Sequence, residues 1–290
     1  MTALSVAAVG PLALIEDLGR PGHGSVGVPT GGATDRRALR LANRILGNDE
    51  GAPAVEVLLG GLALRAVGRS TVCVAGAPAP LMVAGHPVDA MTPLVLQDGQ
   101  TLAMGMPRAG LRSYLAVRGG VIAPLLFGSA SADPTSGLGP PALQPGDRLE
   151  IGPEPTEPIA AVDEVGFVAQ PVTDVVLRVV VGPRNDWLRR AAERTLLESP
   201  WTVTPEGDRV GVRLSGPVLQ RRRQEELPSE PLVRGAIQVP PSGQPIVFLA
   251  DHPTTGGYPV PAVVVDDDTD ILAQLRPGER VRFRAVPLPW

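Results

Sequence analysis

Along most of this chain, apolar residues alternate with polar ones or form short apolar runs. These segments are four to seven residues long and end at Gly or Pro. That pattern reads as many short β-strands joined by tight turns. One turn recurs three times: Leu96-Gln-Asp-Gly-Gln-Thr-Leu102, Leu143-Gln-Pro-Gly-Asp-Arg-Leu149 and Leu275-Arg-Pro-Gly-Glu-Arg-Val281. In each, Asp-Gly or Pro-Gly supplies the turn, and the apolar residue beyond it opens a new strand. Their unequal spacing does not make a repeat. Such turns belong to the rims of barrels and sandwiches.

Helical periodicity stands out in two places. Thr34 or Asp35 caps a predicted helix from Arg36 to Leu46, with Leu39, Ala42, Ile45 and Leu46 on one face and Gly47 ending it. Asn185 or Asp186 caps a second, from Trp187 to Glu198, with Leu188, Ala191, Ala192, Thr195 and Leu196 inward and Pro200 as the stop. A further turn or two is expected over Asp270–Leu275. Residues 152–173 are rich in Pro, Glu and Ala with weak periodicity. They read as a linker between a strand-rich N-terminal domain with one helix, 1–151, and a C-terminal domain, 174–290. The fold class is therefore mainly β with a few helices (α+β).

Composition sharpens this. The chain has 290 residues, 43% hydrophobic and 19% charged, as expected of a folded protein. All 26 basic residues are arginine. Without lysine there is no phosphate-loop lysine, no Schiff base and no covalent biotin on this chain. The net charge of −4 argues against a nucleic-acid partner. Arg221-Arg222-Arg223 is followed by Glu225 and Glu226, so the triplet reads as a solvated face. Cys73, inside an apolar run, reads as a buried strand residue; one cysteine makes neither a disulfide nor a Cys-rich metal site. The N-terminal stretch lacks a basic segment and is interrupted by Gly10-Pro11, so it does not read as a signal peptide. With no apolar run of ~18 residues, no membrane span and a cytoplasmic location are expected.

Two stretches carry candidate chemistry. Residues 16–35 hold a glycine-rich loop with His23 between two glycines, running to Asp35 at a helix start. Such a loop can present backbone N–H groups to an anion. Residues 235–259 read as a hairpin closed at Pro241-Ser-Gly, containing Gln238. Its second strand, Ile246–Ala250, ends in a polar cluster: Asp251, His252, Thr254, Thr255, Gly256, Gly257 and Tyr258. A buried strand running into a polar, flexible loop suits ligand binding. Asp251 and His252 are adjacent and point to opposite faces of a regular strand, which does not suit a catalytic pair. Thr254 and Thr255 are the only local nucleophiles. Arg209 is expected to pair with Asp208, or, like Arg112, to clamp a substrate carboxylate. His252 in this loop is expected to make anion affinity depend on pH near ~6.5.

These stretches resemble, in order, the motifs of the KipA family, also known as the C-subunit family of 5-oxoprolinases or as allophanate hydrolase subunit 2. They are DLGRPG at Asp17–Gly22, GVPTGGATDRRALRLANRILGN at Gly27–Asn48, YLAVRGG at Tyr114–Gly120, DRVGVRLSG at Asp208–Gly216, and GAIQVPPSGQPIVFLADHPTTGGYP at Gly235–Pro259. The resemblance implies a cyclophilin-like β-barrel in one domain and a role as one component of an ATP-dependent 5-oxoprolinase complex. Its implied partners are a KipI-like B-type component and a barrel-type A component of that complex. It implies a small amide substrate, ATP bound largely outside this chain, no metal, and no activity for the chain alone. The alternatives are the carboxyltransferase component of a biotin-dependent urea or amide carboxylase, and a regulatory partner of a KipI-like protein. The chain departs from the family pattern at Gly31, at Ala130 and at His252-Pro253, which stand where relatives carry Ser, Arg and Arg-Gln.

Overall fold

The structure, a computed structural model, describes residues 2–160, 174–182, 184–223, 225 and 227–287. The chain divides into two compact units, residues 1–20 with 31–170 and residues 21–30 with 171–290. The glycine-rich segment 21–30 thus clusters with the second unit, although the chain positions on either side of it belong to the first. Of the expected linker, 161–173 lie outside the described residues.

The first unit is built from two antiparallel sheets. Six strands run in the order Arg148–Glu150, Ala3–Ala8, Ala63–Val67, Thr101–Met104, Leu81–Val83, His86–Val88. Five run in the order Leu12–Glu16, Ala54–Leu58, Arg112–Val117, Ser70–Gly76, Leu94–Leu96. Inward residues of both sheets share one core. The strands Ser70–Gly76 and Arg112–Val117 are buried along nearly their whole length because both of their faces are covered. Val72, Val74, Leu115 and Val117 enter the shared core. Cys73, Ala75, Tyr114 and Ala116 meet helix α1 (Arg36–Ile45) on the other side. Burial pushes the Cys73 thiol up to about 12.

Helix α1 starts on a buried polar network. Asp35 accepts from Ala38 N at 2.9 Å as the N-cap. Its own N–H donates to the Tyr114 hydroxyl at 2.7 Å, and that hydroxyl donates to Glu56 at 2.7 Å. Thr34 donates to Glu56 through its N–H and its hydroxyl, and Arg112 lies 3.5 Å from the same carboxylate. Burial, with Glu56 and Asp35 beside it, holds the Tyr114 hydroxyl well above its ordinary range.

The second unit is a closed barrel. Its seven strands are Val175–Val181, Ala262–Val264, Ala236–Gln238, Ile246–Phe248, Gly211–Ser215, Trp201–Val203 and Arg280–Ala285, the last returning to the first in parallel register. The expected hairpin is present, with Ile237 opposite Val247. The second predicted helix is broken. Asn185–Trp187 form a single 3-10 turn, and helix α2 spans Arg190–Glu198. Between them Leu188 and Arg189 are extended, because this segment pairs with residues 220–222. Arg189 N donates to Gln220 O and Arg222 N to Trp187 O, at 3.1 and 2.7 Å. Leu188, Ala192 and Leu196 are buried as expected, whereas Ala191 is exposed. The third helix, α3 (Asp266–Leu272), starts four residues earlier than expected. Its first-turn aspartates favour the helix N-terminus, and Arg178 and Arg234 pair with Asp268, Asp266 and Asp270.

The three recurring turns are alike in structure. Gly99, Gly146 and Gly278 adopt φ of +78°, +100° and +91° at the third position of each turn. In each, the fourth residue's side chain (Gln100, Asp147, Glu279) accepts from the first residue's N–H at 2.7–2.8 Å. One pattern therefore makes the same turn in both units.

Candidate functional site

The loop after the barrel hairpin is anchored by a buried ion pair. Arg209 Nε and Nη2 donate to the two carboxylate oxygens of Asp251 at 2.7 and 3.0 Å, with side chains 7% and 1% exposed. The Asp251 N–H also donates to the Arg209 carbonyl at 3.1 Å. Arg209 therefore serves as a strut, paired with Asp251 and not with Asp208. Asp208 closes its own turn, accepting from Val210 and Gly211 N–H groups. Neither expected carboxylate clamp is poised as one, since Arg112 sits beside Glu56 in the first unit.

Beyond Asp251 the chain doubles back. His252 is buried, its Nδ1 lies 2.8 Å from the Pro253 carbonyl oxygen, and its ring centre is 6.4 Å from that of Phe248. Thr255–Gly256 pairs antiparallel with Glu230–Pro231, and Leu232 N donates to the Thr254 carbonyl at 3.0 Å. A Cβ at Gly256 would lie 2.6 Å from Gln238 Nε2 and 2.8 Å from Leu232 Cδ1, so glycine lets this small sheet close onto the barrel. Arg184 grips Glu230 with two nitrogens, and that hydrogen bonding is the main reason the Glu230 carboxyl sits below the usual range.

The segment 21–30 supplies the facing wall. Its Gly24–Val26 turn is closed by Val26 and Val28 N–H groups donating to the His23 carbonyl. The cavity between these walls is about 530 Å³, within the range of small-ligand sites. Ser25, Thr30, His252, Thr254 and Thr255 give it polar groups. Val28, Pro29, Pro231 and Leu232 make the apolar part, and among the described residues no arginine or carboxylate lines it. This arrangement suits an uncharged ligand with hydrogen-bonding groups, since hydroxyls and an imidazole can both donate and accept.

The structure thus gathers His252, Thr254 and Thr255 at one cavity and places the other candidates around it or elsewhere. Asp251 and Arg209 sit in the buried pair. Gly256 lies in the small sheet, and a Cβ on Gly257 would lie 3.3 Å from the Leu227 carbonyl oxygen. Gln238 is buried and donates to the Tyr258 carbonyl at 3.4 Å, while the Tyr258 side chain is exposed and does not line the cavity. His23 contributes its backbone to the loop turn. Asp35 belongs to the first unit as the α1 cap. The sequence reading missed Ser25, Thr30, Pro231 and Leu232; the first two lie inside the glycine-rich stretch, but nothing local marked them. Among the described residues no group of three or more His, Cys, Asp or Glu is placed to hold a metal ion.

Comparison with known proteins gives first the class. The family model for the carboxyltransferase domain, subdomain A and B, matches residues 26–285, a span that takes in both units. The C-subunit of 5-oxoprolinase from Haemophilus influenzae is 37% identical over 279 residues, covering 95% of this chain and 89% of that protein. Its counterpart from Escherichia coli, also named as the C-subunit of 5-oxoprolinase, is 36% identical over 283 residues, covering 97% and 90%. The crystal structure of the K. lactis urea amidolyase matches 99% of this chain with a TM-score of 0.93 at 27% identity. This chain spans 19% of that much longer one. The chain belongs to the C-subunit family of 5-oxoprolinases, within the carboxyltransferase-domain class.

Proposed function

We propose that this chain is one component of an ATP-dependent complex that opens 5-oxoproline to L-glutamate, and that the second-unit cavity receives the amide portion of the substrate. The observation that carries the reading is similarity along nearly the whole length of two proteins named as the C-subunit of 5-oxoprolinase. The cavity is compatible with it: hydroxyls and an imidazole can hydrogen-bond a lactam N–H and C=O while the apolar wall covers the ring. With no lysine in the chain, the usual lysine contact to nucleotide phosphates falls to a partner. The partners in this reading are a KipI-like protein and a barrel-type protein, in the cytoplasm.

The test is reconstitution. The chain alone should give no glutamate from 5-oxoproline and ATP; co-expressed with both partners it should give ATP-dependent release. Release by the chain alone, or none by any assembled complex, would overturn the proposal. His252→Ala should raise KM for 5-oxoproline in the complex, and an unchanged KM would remove the cavity from the reading.

Carboxyl transfer from biotin to an amide is the second reading, favoured by the family model and by the urea amidolyase match. Biotin would arrive on another domain or another protein. Activity that avidin abolishes would select it over ATP-driven ring opening.

A further inference from the structure

A second cavity, about 620 Å³, opens on the second unit between the start of α2 and the segment 220–223. Its chemistry is unlike that of the first cavity, because three arginines, Arg189, Arg190 and Arg222, are among its lining residues. All three are exposed, and among the described residues none of them is tied to a carboxylate. Among the described residues, the acids lining the cavity are Asp186 and Glu193. Asp186 lies 3.6 Å from Arg223, so three arginines share the cavity with two acids, one of them already beside another arginine.

The frame behind these arginines is stiff. Arg221 is buried and stacks over one side of Trp187 at 5.8 Å, and Arg223 also lies against the indole, at 5.4 Å. Backbone bonds join Arg222 to Trp187 and Arg189 to Gln220. The triplet expected to be a plain solvated face is thus divided. Two of its members fix Trp187, and the middle one is left to reach the cavity. Holding the backbone of a cation before its ligand arrives reduces the ordering cost of binding.

We propose that this cavity is a binding site for a phosphate-class oxyanion, held by the guanidinium forks of Arg189, Arg190 and Arg222. A carboxylate has about four acceptor sites, too few for three two-donor forks, whereas the oxygens of a tetrahedral phosphate offer enough acceptors for all three. The site is independent of the amide-binding reading. The phosphate could be free or belong to a nucleotide, and the two sources share this chemistry.

The test uses the intact chain, with calorimetric titration of inorganic phosphate, pyrophosphate, ATP and adenosine at low and high chloride. Saturable phosphate or pyrophosphate binding that weakens with salt is expected, with none for adenosine. Tighter binding of ATP than of phosphate would mark a nucleotide as the source; phosphate binding without ATP binding would mark the free ion. Arg190→Gln with Arg222→Gln should weaken binding by about ten-fold or more, since each lost bond is charge-assisted. Both side chains are exposed, so circular dichroism and Tm should be unchanged. The control Arg284→Gln, on a barrel strand, should bind as the parent does. Absence of saturable binding by any phosphate compound, equal binding by the double variant, or binding of a poly-glutamate peptide but of no phosphate, would overturn the proposal.

Discussion

Removing Asp251 should be among the most damaging single changes in the second unit. Asp251→Ala leaves the Arg209 guanidinium, 7% exposed, without its bidentate partner. Breaking a buried pair from one side costs about 3–5 kcal/mol. Against a typical total of about 5–15 kcal/mol this is a large share, and it corresponds to a fall in Tm on the order of 10 °C or more. Removing both charges, with Arg209→Met and Asp251→Leu, takes away the desolvation cost as well, so the double variant should recover most of the loss. Urea unfolding followed by tryptophan fluorescence reports on this unit through Trp201, which is fully buried in its core. The coupling follows from the double-mutant cycle. A loss below about 1 kcal/mol for Asp251→Ala would refute the view that the pair is desolvated and anchors the loop. A double variant as unstable as the single one would shift the cause from charge to shape.

Three further outcomes can be measured. For Asp268, burial alone would raise the carboxyl, but hydrogen bonds from the Arg178 side chain and backbone outweigh it and hold the group below its ordinary range. Its contribution is therefore present above the ordinary carboxylate pKa and lost as pH falls through the lowered value. Asp268→Asn should flatten the acid limb of a stability–pH curve, and an unchanged limb would count against the assignment. Cys73 is fully buried with its thiol pushed up to about 12, so a thiol reagent at neutral pH should label it only after unfolding; fast labelling of the native protein would show that strand to be open. Gly216→Ala would place a Cβ 2.6 Å from the Trp201 ring, which has no room to move, and should cost about 1–3 kcal/mol in urea unfolding.

What the sequence determined by itself is local. Helix α1 is legible because its cap, its apolar spacing and Gly47 all agree, and the hairpin at 236–248 is legible from apolar runs around a Pro-Ser-Gly turn. The three recurring turns follow from a glycine at the one position that needs positive φ and a side chain three residues from the N–H it caps. The loop 251–258 was legible as a polar cluster after a buried strand, and three of its side chains do line a cavity. Tertiary structure decided the rest, because partners distant in the chain chose between options that were locally equal. Arg209 turned from its neighbour Asp208 to Asp251, forty-two positions away. The helix expected at 187–198 lost its first turn because Leu188 and Arg189 found strand-like partners at 220–222. Residues 21–30 joined the second unit across a gap of some 140 positions, and no periodicity within ten glycine-rich residues can encode that.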